Sequence, residues 1–313
     1  MKLTVSPDVT NPQEGFRIDK YIAGQCPELS RSFIQKLIKD GEVSLGNRSA
    51  KASDRVRAGD VISFEVPEPE EAQILPEDIP LDILYEDKDL IIVNKPKGMV
   101  VHPAAGHADG TLVNALMHHC EGQLSGINGV LRPGIVHRID RDTTGSVIVC
   151  KNDRAHQAIA EQLAAHSITR RYRAIVAGNL KEDEGTVDAP IARHRTDRKR
   201  MAVVSEGKRA VTHYKVLERF GDCTYIECRL ETGRTHQIRV HMSSMHHPLL
   251  GDEVYGKGSA GWKVHGKPLQ GQVLHAMTIG FIHPTTGEYM EFEAPLPAYF
   301  EELLQTLRSR GPK

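Results

Sequence analysis

Between Pro67 and Pro80 the chain carries four prolines and five acidic residues. Proline fixes φ and has no N–H to donate, so neither a helix interior nor a central strand can run through such a stretch. The residues on either side must therefore build separate cores. We read a small module at 14–66, a linker at 67–80 and a main domain at 81–313.

In the small module, Ile18, Tyr21 and Ile22 mark one face of a short helix. Ser30 or Ser32 is placed to cap a second helix carrying Phe33, Ile34, Leu37 and Ile38, which Gly41 would end. Short strands are expected at 43–45 and 61–66, with a turn at Gly46-Asn47. The order of helix, Ser-Arg-x-x-Ile-x-x-Leu-Ile-x-x-Gly-x-Val, turn and Gly59-Asp60-x-Ile resembles the alpha-L, S4-like RNA-binding domain of ribosomal proteins. The resemblance implies that Arg31, Lys36, Lys39 and Arg48 face RNA phosphates. Taken alone, these residues read as a solvated basic face.

From Ile83 onward, strand-like runs outnumber helical ones. Strands are expected at 90–93, 146–150, 172–176, 211–217, 224–230, 274–281 and 289–292, from β-branched content or alternation. Helices are expected at 155–165, 235–244 and 299–308. Many strands with few helices predict an α+β domain on a large, mainly antiparallel sheet.

Composition narrows the function only through its distribution. The chain has 40 Lys and Arg against 41 Asp and Glu, a net charge of −1 that advertises no nucleic-acid partner. Locally, seven cations lie between Arg193 and Arg209, against Asp197 and Glu206. Five cysteines, an odd number without a CxxC pair, fit reduced thiols, and no run approaches the ~18 apolar residues of a membrane span. A cytoplasmic protein is expected.

The chemistry concentrates in GIVHRIDRDTTG, 134–145, where Asp140 is framed by His137, Arg138 and Arg141 just before an apolar strand. Asp in such a run is most often a turn former. A carboxylate among cations also stays charged, as a nucleophile must. Four further runs stand out: NKPKGMVVHP at 94–103, with Lys95 read as a projecting cation; Arg171-Tyr172-Arg173-Ala174; RHRTDRKRMAV at 193–203; and LETGRTHQIRVHM at 230–242, where Thr235 is placed to cap a helix carrying Arg239.

Together these runs resemble the RluA family of pseudouridine synthases, whose catalytic motif has the form H-R-L-D-x-x-T-S/T-G. The likeness spans nearly all of 82–293. It implies the pseudouridine synthase fold, with a large mixed sheet, and an enzyme that detaches uracil from C1′ and rejoins it through C5. Asp140 would be the catalytic carboxylate, Tyr172 would stack on the base and Arg239 would pair with Asp140. Arg171 takes the place of the family's lysine. Arg138, with His137 beside it, would fill the space left by the flipped base. Arg193, Arg195, Arg198, Lys199 and Arg200 would neutralise RNA phosphates. Ile238 and Met242 read as packing.

The resemblance implies no cofactor and no metal, a monomer, and ribosomal RNA as partner, free or in a pre-ribosomal particle. The context 122–140 is most similar to the D-type subgroup, which acts on helix 69 of 23S ribosomal RNA. Another ribosomal or transfer RNA site, and a non-catalytic RNA chaperone or assembly factor, stay open. A glycosidase-type pair of Asp140 and Asp142 is disfavoured, because such pairs need particular carboxylate separations. GDEVYGK at 251–257 mimics a phosphate loop, but Gly258 stands where Ser or Thr would hold magnesium. The 16 histidines include no HExxH.

Overall fold

A computed structural model of the chain describes residues 2–5, 16–66, 74–103, 107–127, 129, 132–197, 199–256, 262–264 and 267–310. Of the positions singled out above, 14, 15, 67–73, 128, 130 and 131 of the 122–140 context, Arg198, Lys257 and Gly258 lie outside the described residues. The chain divides into two compact units, Met1–Glu71 and Ala72–Lys313.

In the first unit, β1 (Lys2–Thr4), β6 (Val61–Phe64), β3 (Val43–Leu45) and β4 (Arg48–Ser49) form one small sheet, and β2 (Phe16–Arg17) pairs with β5 (Arg55–Val56). Helices α1 (Ile18–Gln25) and α2 (Arg31–Asp40) bury Ile18, Ile22, Ile34 and Leu37 against Val43, Ile62 and Phe64. Ser30 caps α2 by accepting from the Phe33 amide, and Gly41 ends it at φ 85°. Between the helices lies the buried carboxylate of Asp19, held by Arg17, Arg31 and Gln35. Burial pushes its pKa up, but those three partners outweigh it and hold the group well below the usual carboxylate range. Two of the four proposed phosphate ligands are thus engaged within the unit: Arg31 places Nε and Nη2 on Asp19, and Arg48 pairs with Asp54 at 2.7 Å. Lys36 and Lys39 are exposed.

The second unit runs β7 (Ile83–Glu86), β8 (Leu90–Lys95), α3 (Leu112–His119), β9 (Thr144–Cys150), α4 (Asp153–Ala164), β10 (Thr169–Ala177), β11 (Glu184–Asp188), β12 (Ile191–Arg193), β13 (Met201–Val203), β14 (Val211–Arg219), β15 (Cys223–Leu230), α5 (Gln237–Ser244), β16 (Lys263–Val264), β17 (Lys267–Pro268), β18 (Leu274–Ile282), β19 (Tyr289–Glu293) and α6 (Ala298–Ser309). Nine strands share one sheet in the order β11-β14-β15-β10-β18-β9-β8-β7, with β19 also on β18. Among the described residues, only the β9–β18 pair is parallel. Helix α3 was not read from the sequence; Thr111 and Asn114 close a capping box at its start. Residues 74–80, read as linker, belong to this unit: Asn114 donates to the carbonyl of Leu75, and Ile74 is buried.

Every residue of β9 is buried, because both faces of the sheet are covered here. Alternation sends Val147 and Val149 to α3 and sends Ile148 and Cys150 to α4. Gly145, at φ 108°, lets β9 approach β18: a Cβ there would lie 2.3 Å from the Ala276 carbonyl oxygen. That close pairing fixes where β9 begins. The 138–143 loop therefore opens beside the start of β18.

Candidate active site

The loop carrying Asp140 is tied down from both sides. Gly98 donates its amide to the carbonyl of Arg141, and the Thr143 amide turns back to the carbonyl of Asp140. Lys95 does not project, contrary to the sequence reading. It is fully buried, and its Nζ donates to the carbonyls of Pro96, Met99 and Arg141 at 2.9, 2.8 and 3.0 Å. Burial pushes its pKa down to about 7. Three acceptors matched to three ammonium protons, with Asp142 and Asp140 nearby, favour the charged form.

Asp140 and Asp142 sit in this loop rather than in a strand, so no strand alternation relates them. Asp142 pairs with Arg141 and packs against Gly271, whereas Asp140 turns to α5. This separation in direction removes the carboxylate-pair reading.

Arg239, in the first turn of α5, reaches Asp140 Oδ2 from Nη1 at 2.8 Å. Its other two nitrogens bind Asp252, Nε at 2.7 Å and Nη2 at 3.0 Å. Asp252 is itself held by the amides of Val254 and Tyr255, and the Tyr255 ring lies 5.1 Å from the guanidinium. Burial lowers the pKa of Arg239, yet the two carboxylates outweigh it and raise the pKa above the ordinary arginine value. Sequence reasoning missed Asp252 and Tyr255 because the GDEVYGK run was tested only as a phosphate loop. An acid with an aromatic three residues later, following a helix with a buried arginine, was the available signal.

Helix α5 is not capped by Thr235. His236 occupies the cap position in the left-handed conformation, φ 56° and ψ 21°, without a side-chain capping bond. Its ring is turned instead towards Asp140, with Nε2 3.7 Å from Oδ1.

Tyr172, on β10, lines the same cleft with Ile139, Thr143, Leu230, Arg234, Ile238 and Leu274. It packs between the core around α3 and the core under α5, and burial raises its phenol pKa. Ile238 and Met242 are buried in that second core, as packing residues. The cation accompanying Tyr172 is Arg170, not Arg171. Residues two apart share a strand face, and a Lys-x-Tyr spacing counts back to 170. Arg170 is buried, donates to the Glu231 carbonyl and acts electrostatically on Tyr172; Arg171 points to Glu291.

Arg138 is exposed at the mouth of the cleft, and its Nη1 lies 3.3 Å from His102 Nε2. His137 faces the fold instead, where Nε2 accepts from the Ile148 amide at 2.9 Å. Burial, then Arg170, pushes its pKa down to about 3, so the neutral ring pins the loop to β9. The basic run becomes the hairpin β12–β13, in which Arg193 is on β12 and Arg195 and Lys199 are exposed in the turn. Arg200 lies 5.4 Å from the Tyr255 ring.

The five cysteines are buried and free. Asp87, Asp89 and His283 approach one another as metal ligands would. Their atoms are already engaged: His283 binds Asp87, Thr285 and Asn152 bind Asp89, and backbone amides fill Asp87. That donor set suits a turn lock rather than an ion. Among the described residues no helix is long and apolar enough to cross a membrane.

Comparison with known proteins gives consistent findings. The model of the RNA pseudouridylate synthase family matches residues 89–244, and that of the S4 domain matches 16–62. An uncharacterized RNA pseudouridine synthase of Bacillus subtilis is 52% identical over 299 residues, 96% of each chain. A ribosomal large subunit pseudouridine synthase D of Zymomonas mobilis is 50% identical over 309 residues, again 96% of each. The solved structure of human RNA pseudouridylate synthase domain containing 1 superposes with a TM-score of 0.55 at 26% identity, covering 79% of this chain and 99% of that one.

Proposed function

The chain belongs to the RNA pseudouridylate synthase family, and from that premise we propose that it isomerises uridines of large-subunit ribosomal RNA, in the helix 69 stem-loop of 23S RNA. The observation that carries the reading is the arrangement around Asp140: a carboxylate at the floor of a cleft, fixed by Arg239 at 2.8 Å and facing Tyr172. The ribosomal target rests on the relative from Zymomonas mobilis and on the D-type likeness of the 122–140 context.

In this reading the uridine leaves its stack and enters the cleft, and Arg138 at its mouth occupies the vacated space. Tyr172 takes the face of the base against its ring. Arg239 holds one oxygen of Asp140, leaving the other for C1′, for C6 of the base, or for the C2′ proton. Electrostatic pre-organisation of this kind is built before the substrate arrives, because Asp252 fixes Arg239 from behind. The phosphates meet Arg193, Arg195, Lys199 and Arg200 on the second unit and Lys36 and Lys39 on the first. Arg31 and Arg48 bind through nitrogens their carboxylate partners leave free. No step needs a redox change or an added group, so the reaction proceeds without a cofactor.

Mapping pseudouridine in 23S RNA from cells lacking the gene tests the target. Loss confined to helix 69, restored by the gene, supports it; intact helix 69 modification with loss elsewhere assigns another site.

A further inference from the structure

His236 stands in a backbone conformation unfavourable for an L side chain and caps nothing, although it opens α5. Its hydrogen bonding shows what that conformation achieves. The hydroxyl of Tyr255 accepts from the Met201 amide at 2.8 Å and lies 2.9 Å from His236 Nδ1. Tyr255 is buried, and among the described residues its hydroxyl proton has no acceptor other than Nδ1. The hydroxyl therefore donates to Nδ1, and the imidazole carries its own proton on Nε2. That N–H makes no hydrogen bond among the described residues. It lies 3.7 Å from Asp140 Oδ1, beyond bonding distance, on the side of the carboxylate that Arg239 leaves free.

An atom held about 3 Å from both Oδ1 and Nε2 is well placed for a reacting group. We propose that His236 is a further catalytic residue, whose Nε2–H donates a hydrogen bond to the uracil detached from C1′. The inference rests on the pseudouridine synthase reading. When the C1′–N1 bond breaks, its electron pair stays on the uracil ring and spreads over N1 and the carbonyl oxygens. C1′ is meanwhile satisfied by Asp140 Oδ1, or by loss of the C2′ proton. The donor stabilises that charge without giving up its own proton. The ring turns, and C5 bonds to C1′ as the C1′–Oδ1 bond breaks with its electron pair returning to Asp140, or, on the other route, as Asp140 returns its proton to C2′. C5 then loses its proton to solvent and N1 takes one up, so the overall change is an isomerisation.

A neutral donor suits this step, because an imidazolium would itself pair with Asp140. Burial lowers the pKa of His236 most, opposed by Asp140 and Asp252 and reinforced by Arg239 and Arg138. Among the described residues, the other charged or titratable groups around the site are Lys95 on β8, Arg170 and Tyr172 on β10, Arg200 before β13, Arg234 before α5 and Tyr255 on the loop after α5. Through Met201 on β13, the same hydroxyl also ties the donor to the basic hairpin.

The test is single-turnover tritium release from ribosomal RNA labelled at C5 of uridine, run beside RNA binding and thermal unfolding. His236→Asn keeps a residue that tolerates the left-handed turn but is too short to present the N–H. It is expected to slow release about 100-fold or more, the usual loss for one such donor, at unchanged RNA affinity. His236→Gln, which reaches as far as Nε2, is expected to recover part of the rate. Tyr255→Phe, which takes the hydroxyl from both Nδ1 and the Met201 amide, is expected to slow release. A wild-type rate in His236→Asn overturns the proposal. So does an equal loss in His236→Gln with weakened RNA binding or a lowered unfolding midpoint, the mark of a structural ring. Absence of release from the wild type would instead defeat the underlying reading of the enzyme.

Discussion

Asp252 holds Arg239 through two nitrogens, at 2.7 Å from Nε and 3.0 Å from Nη2, and so directs the remaining nitrogen at Asp140. The Asp252 side chain is fully buried and that of Arg239 nearly so. Removing Asp252 leaves the buried Arg239 charge with Asp140 as its one carboxylate partner among the described residues and two of its nitrogens unmet; breaking a buried pair of this kind costs about 3–5 kcal/mol. Asp252→Ala is therefore expected to lower stability by that order in denaturant unfolding, and to lower activity beyond any loss of folded protein. A variant of wild-type stability and rate would show that Arg239 needs no support from behind.

Lys95 anchors the catalytic loop to its own turn through three carbonyls. Lys95→Met fills the space but leaves the Pro96 and Met99 carbonyls without that donor, each a loss of about 1–3 kcal/mol when buried, while the Arg141 carbonyl keeps the Gly98 amide. Stability should fall by about 3 kcal/mol or more, read as a shift in urea midpoint. Loss of activity at unchanged stability would instead mean that Lys95 touches the reaction.

Stability should also depend on pH through two enclosed histidines. Burial, with a neighbouring arginine, pushes His137 down to about 3 and His102 down to about 4, from an ordinary 6.5. The unfolded chain takes up these protons below about pH 6.5 while the folded chain does not, so stability declines as pH falls from there towards 4. His137→Gln keeps an acceptor for the Ile148 amide and cannot titrate. Its unfolding midpoint should drop less between pH 7 and pH 5 than that of the wild type; an equal drop would remove His137 from the explanation.

Charge on the β12–β13 hairpin should be visible in salt dependence. Replacing Arg195 and Lys199 by Ala should weaken RNA binding, and should flatten the slope of log affinity against log salt by about 0.7–0.9 per lost phosphate contact. A slope equal to that of the wild type would place the RNA elsewhere.

Much of the architecture was legible because period and punctuation are local signals. Ser30 and Gly41 bracket α2, and the apolar runs at 146–150 and 274–281 became neighbouring strands. The two partners Asp140 and Arg239 lie 99 residues apart, and only the family likeness joined them. What the sequence hid was direction. Lys95 looked like a projecting cation because a lysine after a strand normally reaches solvent; three converging carbonyls turned it inward. Arg170 was passed over for Arg171, although alternation puts Arg170 on the Tyr172 face. Thr235 was the better cap by propensity, but His236 took the position in a strained conformation that aims its ring into the cleft. Asp252 was invisible for a related reason: its partner comes from the preceding helix, and its loop matched a different, incomplete motif.

The central claim is that Asp140 is the carboxylate on which the isomerisation of an RNA uridine depends. The most direct measurement is tritium release from ribosomal RNA labelled at C5 of uridine, comparing the wild type with Asp140→Asn at matched stability and RNA affinity. The account predicts release by the wild type and none above background by the variant. Undiminished release from Asp140→Asn would contradict it.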